Sequence, residues 1–277
     1  MKKIVYLIAL IIGAFTVACD PIVDNVGVGD VITSADQIEA TVTPVMIGSY
    51  NTNKVKVHCT SPVICQWSGG PTVYVSNDTT VLLFVKGEQD IILTAMANDG
   101  TTYTKSYTVT VDSMYYDVPE EWGYFCGTSD KTWVWATDNT YSSSQWIWGN
   151  GDRSSDTAPA WWGRSASDAA EDDIDIDGTM NFSLDGATFT KVEDGDTTSG
   201  KFSFDMTAST TTQGIGTLTI SGGTTILHGI SQNDSQATVY TFDIIKLTDD
   251  ELILEYSTES NTYEGWFWVF KREGYTY

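Results

Sequence analysis

Alternation of apolar and polar residues is the feature that most constrains the fold of this chain. Residues 101–112, TTYTKSYTVTVD, place Tyr107, Val109 and Val111 on one face of an extended segment and threonine and serine on the other. Because side chains of a β-strand alternate between its two faces, this pattern predicts a half-buried strand. Similar segments recur over residues 179–272, and long helical periodicity is absent after the N-terminal segment. The sequence therefore predicts an all-β protein.

The N-terminus has the build of a bacterial export signal. Lys2 and Lys3 precede an apolar run, residues 4–18, that is too short to span a membrane comfortably. The run leads into TVAC, which resembles a bacterial lipobox, where small residues fit the signal peptidase groove and the thiol of Cys19 takes the lipid. We expect a signal peptide over residues 1–18 and a mature chain anchored through Cys19. The alternative is an ordinary signal peptide followed by a chance cysteine.

Residues 19–33 have the composition of a lipidated tether. Asp20 and Asp24, close to Cys19, resemble the acidic export signals of lipoproteins that Bacteroidetes place on the outer cell surface. The resemblance implies a lipid-anchored protein of the outer membrane that faces the cell exterior. The membrane is then contacted through the lipid alone.

The charge of the chain restricts its partners. The formal net charge is -23, so nucleic acid and anionic lipid surfaces are repelled. A neutral ligand or a divalent cation fits better than an anionic one. The alternative is that the acidic surface serves solubility alone.

Residues 34–112 form the first predicted domain. Asn98, Asp99 and Gly100 predict a hairpin turn between two strands. The segment resembles a PKD-type, immunoglobulin-like domain, with Trp67 followed by glycines where that family has its tryptophan and glycine-rich turn. The resemblance implies an immunoglobulin-like sandwich that has Trp67 in its core. The domain would then act as a spacer.

After a linker over residues 113–124, residues 125–277 form the second predicted domain. Regularly spaced hairpin signals, such as Asp185-Gly186 and Gly222-Gly223, predict a β-sandwich or up-and-down barrel. The domain resembles a lipocalin-like domain of Bacteroidetes surface lipoproteins, often found behind a PKD-type module and near glycan-uptake genes. The matching stretches include KTWVWATD, WIWGNGD, APAWW, GTMNFSLDG, FDIIKLTDDELILEY and GWFWVFK. The resemblance implies glycan binding without a reaction, and other surface glycan-uptake proteins as further partners.

Six of the ten tryptophans fall between Trp133 and Trp162. A flat indole can cover the apolar C–H face of a sugar ring, while neighbouring polar groups bind its hydroxyls. Glycines in the same run allow tight turns and close approach of a ligand. The alternative is that these tryptophans form a core. The predicted carbohydrate-binding residues are Trp146, Trp148, Asn150, Asp152, Arg153, Trp161, Trp162 and Arg164.

Cysteines and acidic residues suggest two further features. Cys59 and Cys65 could close a short loop as a disulfide in the cell envelope, which leaves Cys126 as a buried thiol. The acidic residues Asp173, Asp175 and Asp177 precede a glycine, as in the opening of a calcium loop. An acidic solvated loop is the alternative, because the twelfth position holds leucine instead of a bidentate acid. No other cofactor is expected.

The sequence lacks the catalytic motifs that would indicate an enzyme. The sequence contains neither the ligand spacing of a zinc site, nor a Gly-x-Ser-x-Gly elbow, nor a phosphate-binding glycine loop. We expect a surface lipoprotein that captures a polysaccharide or oligosaccharide without cleaving it. Two alternatives remain: a structural or adhesin-like surface protein, and a glycoside hydrolase with an unrecognised site.

Overall fold

The structure is a computed structural model that describes residues 32–172, 174–258, 261 and 263–277. The predicted signal peptide, Cys19 and most of the predicted tether lie outside the described residues. The contacts divide the chain into two units, Met1–Thr33 and Ser34–Tyr277. The second unit carries the strands and helices of the described residues. It is all-β, as the alternation predicts.

Two antiparallel sheets occupy residues 40–111 and form an immunoglobulin-like arrangement. The strands of the first sheet lie in the order β1 (Ala40–Ile47), β2 (Tyr50–Cys59) and β5 (Asp78–Leu82). Those of the second lie in the order β4 (Val73–Val75), β3 (Ile64–Ser68), β6 (Gly87–Met96) and β7 (Thr102–Val111). Trp67 is fully buried, and its indole N–H donates to the Ser76 carbonyl over 3.0 Å. Its predicted core position is confirmed.

The strand predicted over residues 101–112 is β7, and its partner is β6. The register runs from Gly87 opposite Val111 to Met96 opposite Thr102. Gly100 closes the turn between them with a φ of 84°, a left-handed value that favours glycine. The predicted hairpin is confirmed.

A closed barrel of eight strands follows. Its strands are β8 (Asp130–Trp135), β11 (Thr179–Ser183), β12 (Thr188–Glu193), β13 (Asp196–Asp205), β14 (Gly216–Ser221), β15 (Thr241–Leu247), β16 (Glu251–Tyr256) and β17 (Glu264–Arg272). Each strand is hydrogen-bonded to the next in this order, and β17 pairs with β8 to close the ring. Of the two predicted architectures, sandwich or barrel, the second domain therefore adopts the barrel.

Strand β17 has two different neighbours on one side. Its C-terminal part, Phe270–Arg272, pairs with β8, whereas its N-terminal part, Glu264–Trp268, pairs with β9 (Trp148–Asp152). A three-residue strand, β10 (Trp162–Arg164), pairs with β9 and forms the edge of the sheet. We call β9, β10 and residues 264–268 the fork. It leaves the barrel wall but continues its inner face.

Aromatic side chains fill the barrel. Phe125 of α1 (Glu121–Cys126) packs on Phe182 and Phe202, with ring centroids 5.3 and 5.8 Å away. Burying each phenylalanine contributes about 1.5–3 kcal/mol. Lys131 ends the helix by donating from Nζ to the carbonyls of Gly123 and Tyr124. Among the described residues, no helix has both the length and the apolar character needed to cross a membrane.

The cysteines of the sandwich and barrel are free and buried. Cys59 ends β2 and Cys65 lies in β3, so the two belong to different sheets. Burial and the neighbouring Cys59 thiol raise the pKa of Cys65 to about 12, which keeps it protonated. The structure thus holds two adjacent thiols where the sequence suggested a disulfide. Cys126 is buried as predicted.

Candidate functional site

The register of the fork places a row of polar and aromatic side chains on one face. Trp162 lies opposite Asn150 in β9, and Asn150 lies opposite Trp266 in β17. Because alternate residues of a strand share a face, Trp148 and Trp268 point the same way as this row. Both belong to the barrel core. The inner face of the fork is therefore an extension of the barrel interior.

Three indoles on this face form what we call the tryptophan cluster: Trp148, Trp162 and Trp266. Their ring centroids lie 5.0 to 6.0 Å apart, within the range of favourable aromatic contacts. The imidazole of His228 lies 4.7 Å from the Trp148 ring. Trp148 is 4% exposed, Trp162 is 40% exposed and the adjacent Trp161 is 54% exposed. The cluster thus runs from the core to the surface.

Trp148 and Trp146 do not offer free ring faces in this structure. Trp148 is enclosed by its aromatic neighbours. Trp146 is partly buried and lies against β10, where a Cβ on Gly163 would come within 2.5 Å of the Trp146 ring. A Cβ on Gly149 would come as close to the backbone of Gly163. These glycines make room for the indole and for the close approach of two strands, whereas the sequence suggested approach of a ligand.

Both predicted arginines are already in ion pairs. Nε of Arg153 lies 3.6 Å from Glu255, and its Nη2 lies 3.8 Å from Asp243, within a network covered by the loop that contains Thr210. Asp243 and Glu255 are cross-strand neighbours. Arg153 thus takes part in this network and not in the cluster.

Arg164 lies beside the cluster. Its guanidinium is 4.6 Å from the centre of the Trp162 ring, and its Nε is 2.5 Å from a carboxylate oxygen of Asp172. The cation therefore packs on one face of the most exposed ring of the cluster. Asp172 compensates its charge.

Asn150 is held by a carboxylate hub. Its side-chain amide donates to Glu264, which also accepts from the side-chain amides of Asn233 and Asn261 at 2.9 and 3.2 Å. Asp152, in contrast, accepts from the hydroxyl and N–H of Ser154, and these hydrogen bonds lower its pKa. The hub connects three separate segments around the cluster.

Buried polar atoms without a hydrogen-bond partner concentrate here. Among the described residues, they include Nε1 of Trp148, Nε1 of Trp266, Oδ1 of Asn150, Nε2 of His228 and Oγ of Ser231. Most buried polar groups in proteins are paired with protein or ordered water, so a concentration of unpaired ones marks a place for polar molecules. The sequence indicated a core position for Trp266 and a packed or solvated role for His228, and it did not single out Glu264. The one signal for Trp266 was its spacing of two residues from Trp268, which puts both side chains on the same face of a strand.

One of the predicted calcium residues, Asp175, is engaged by backbone N–H groups. Asp175 accepts from the N–H of Asp177 at 3.0 Å and from that of Asp194 at 2.7 Å. Asp173 lies outside the described residues. Within the part of the chain that the structure describes, no group of three histidines, cysteines or acids is arranged to hold a metal ion. Asp175 therefore stabilises a turn.

Comparison with protein-family models and with curated protein sequences finds no match. The class of protein is therefore defined by its fold and its candidate site. The chain is an all-β protein with an immunoglobulin-like arrangement of sheets, a closed barrel and a partly exposed tryptophan cluster at a fork in the barrel wall.

Proposed function

We propose that this chain is a cell-surface lipoprotein that binds a polysaccharide or oligosaccharide without cleaving it. The observation that carries the proposal is the exposure of Trp161 and Trp162, side by side, next to buried polar groups on the fork. Large exposed aromatic side chains on a rigid scaffold often mark a binding surface. An indole covers the C–H face of a sugar and leaves its hydroxyls free to hydrogen-bond.

The resemblance to Bacteroidetes surface lipoproteins supports the location. In this proposal, lipid on Cys19 anchors the chain in the outer membrane, and residues 34–112 act as the spacer. The barrel then faces the cell exterior, where other glycan-uptake proteins are its partners.

Electrostatics favours an uncharged glycan. Arg153 and Arg164 are each compensated by carboxylates, so neither is left to neutralise an acidic sugar. The net charge of -23 adds long-range repulsion of polyanions.

Two carboxylates of the fork have partners that favour binding over hydrolysis. Glycoside hydrolases use two carboxyl groups that face the substrate from opposite sides. Glu264 is engaged by three amides, and Asp152 is engaged by Ser154. Both therefore have structural partners.

Affinity electrophoresis of residues 20–277, through gels that contain neutral or acidic polysaccharides, tests the proposal. We expect at least one neutral polymer to retard the protein with no release of sugars. Trp162→Ala and Trp161→Ala should each reduce the retardation, because each removes a ring on which a sugar packs, and ring contacts are worth about 0.5–1.5 kcal/mol beyond the area they bury. Tyr50→Ala, which removes an exposed aromatic residue from the sandwich, is the matched control.

The other outcomes separate the alternatives. Retardation that survives both tryptophan substitutions in folded protein would place the site elsewhere. Binding to another protein, with no retardation by any polymer, would favour a structural or adhesin-like role. Release of sugars that a single Asp or Glu substitution abolishes would identify a hydrolase.

A further inference from the structure

Unpaired polar atoms lie on the fork and beside it, and the Trp162 ring packs against two of the residues that carry them, Trp148 and Trp266. The Trp162 ring meets Trp148 and Trp266 edge-on, with interplanar angles of 79° and 69°. On the basis of the proposed function, we infer that Trp148, Trp266, Asn150 and His228 form a recessed subsite. This subsite binds the hydroxyl groups of one sugar residue after the ring of Trp162 moves aside.

The unpaired atoms match hydroxyl groups in chemistry. The two indole nitrogens only donate, and Oδ1 of Asn150 only accepts, so a partner must both accept and donate. Adjacent hydroxyls on a sugar ring do both. A carboxylate or phosphate only accepts, and an ammonium only donates. Burial lowers the pKa of His228, and Nε2 of its neutral ring adds one further unpaired atom that either donates or accepts, depending on the tautomer.

Hydrogen-bonded groups limit the subsite on two sides. At one end, the hub of Glu264 with Asn150, Asn233 and Asn261 closes the fork. At the floor, the indole N–H of Trp268 donates to the His228 carbonyl over 2.9 Å and fixes the loop to the barrel. The entry is the side that Trp162 occupies. A terminal or branching sugar residue fits this enclosure better than the middle of a chain.

Trp162 is placed to act as a movable cover. It belongs to β10, a three-residue strand at the sheet edge, and its ring is 40% exposed. The Arg164 guanidinium, fixed by Asp172, packs on this ring in the closed arrangement. A sugar that enters replaces the contacts of the Trp162 ring with Trp148 and Trp266 and pairs the unpaired polar atoms. The displaced Trp162 indole stays against the C–H face of the glycan, as the proposed function requires.

Indole N–H resonances test the subsite directly. The tryptophans of isotope-labelled protein are assigned with single Trp→Phe variants, and glucose, galactose, mannose, xylose and N-acetylglucosamine are then added in turn. We expect at least one sugar to shift the resonances of Trp148 and Trp266 together with that of Trp162. Polysaccharide gels are run in parallel with the same protein.

Each other result has a distinct meaning. Shifts confined to Trp161 and Trp162 would overturn the recessed subsite and keep the proposed function, as would retardation in gels with no shift at Trp148 and Trp266. In both cases ordered water would satisfy the buried atoms. The absence of both resonance shifts and gel retardation would rule out the proposed function and the subsite together.

Trp266→Phe tests the hydrogen bond, because it keeps an aromatic ring and removes the unpaired donor, and the same substitution at a control position accounts for the lost ring volume. Trp266 is chosen over Trp148 because it is less buried and its replacement disturbs the core less. We expect about threefold to tenfold weaker binding of the sugar that shifts the resonances. The control is Trp122→Phe, a partly buried tryptophan that packs on Phe84 and Phe204 away from the fork. Unchanged affinity in folded Trp266→Phe protein would exclude the donor role.

Discussion

At the residue scale, Glu255 is a carboxyl group placed where an ionised form is unfavourable. It is fully buried, and a Cβ on Gly265 would come within 3.0 Å of its carboxyl carbon. Burial raises the pKa of Glu255 to about 8, although Arg153 opposes the shift. At neutral pH Glu255 is therefore mostly protonated, which leaves Asp243, 3.8 Å from Nη2 of Arg153, as the acidic partner of that arginine.

This burial makes stability depend on pH. The folded pKa of Glu255 is about 8 and its ordinary value is 4.5, so the folded state retains a proton that the unfolded state releases. The contribution is complete below about pH 4.5 and is lost as the pH rises through about 8. The free energy of unfolding should fall by up to about 1.4 kcal/mol per pH unit in this window. Urea titrations at both ends measure it.

Glu255→Gln should flatten that pH dependence, because the amide cannot ionise. Glu88→Gln, on the exposed surface of the sandwich, should leave the slope unchanged. An equal slope in wild-type and Glu255→Gln protein would assign the pH dependence to other groups.

The cysteines give a second prediction at this scale. Because Cys59, Cys65 and Cys126 are buried, a thiol reagent added to native residues 20–277 should react slowly with all of them. After denaturation without reductant, three reactive thiols are expected from the free cysteines of the structure. Only one reactive thiol would mean that Cys59 and Cys65 had formed the disulfide that the sequence suggested.

At the scale of elements, the fork depends on glycines at the contact of β9 and β10. Gly163 lies opposite Gly149, and the Trp146 ring fills the space where a side chain would be. Gly163→Ala should destabilise the fold by about 1–3 kcal/mol, because overpacking forces the ring or the strand to move. Urea unfolding measures the loss. Gly123→Ala is the control, since a Cβ there meets nothing within 4 Å. Equal stability of the two variants would show that the Trp146 ring can move aside at little cost in free energy.

The same elements show what local patterns can and cannot predict. Alternation over residues 101–112 identifies β7 and its turn, because a hairpin is determined by neighbouring residues. The alternation of Trp146 and Trp148 instead suggests one shared face. Gln145 has a left-handed φ of 53°, and β9 begins only at Trp148, so the two rings separate. The pairing of β9 with β17 joins distant parts of the chain, and local periodicity carries no information on it.

At the scale of the whole molecule, the sandwich and the barrel share a contact that the sequence treats as a linker. Trp122, in the predicted linker, packs on Phe84 of the sandwich side and on Phe204 of the barrel, with ring centroids 5.7 and 4.7 Å away. The Gly186 N–H donates to the Gly70 carbonyl over 3.2 Å. Composition predicts a connection there, but it does not predict that an aromatic residue joins two cores.

This contact should make the sandwich and the barrel unfold together. Wild-type protein should show one urea transition by both tryptophan fluorescence and circular dichroism. Phe84→Ala should lower the free energy of unfolding by about 2–3 kcal/mol, less than for a fully buried phenylalanine because Phe84 is only partly buried. It should also separate the transitions that the two probes report, since Trp122 loses its partner. Val75→Ala, at an exposed edge position, is the control. Two separate transitions in the wild type would mean that the sandwich and the barrel unfold independently and that the contact of Trp122 with Phe84 does not couple them.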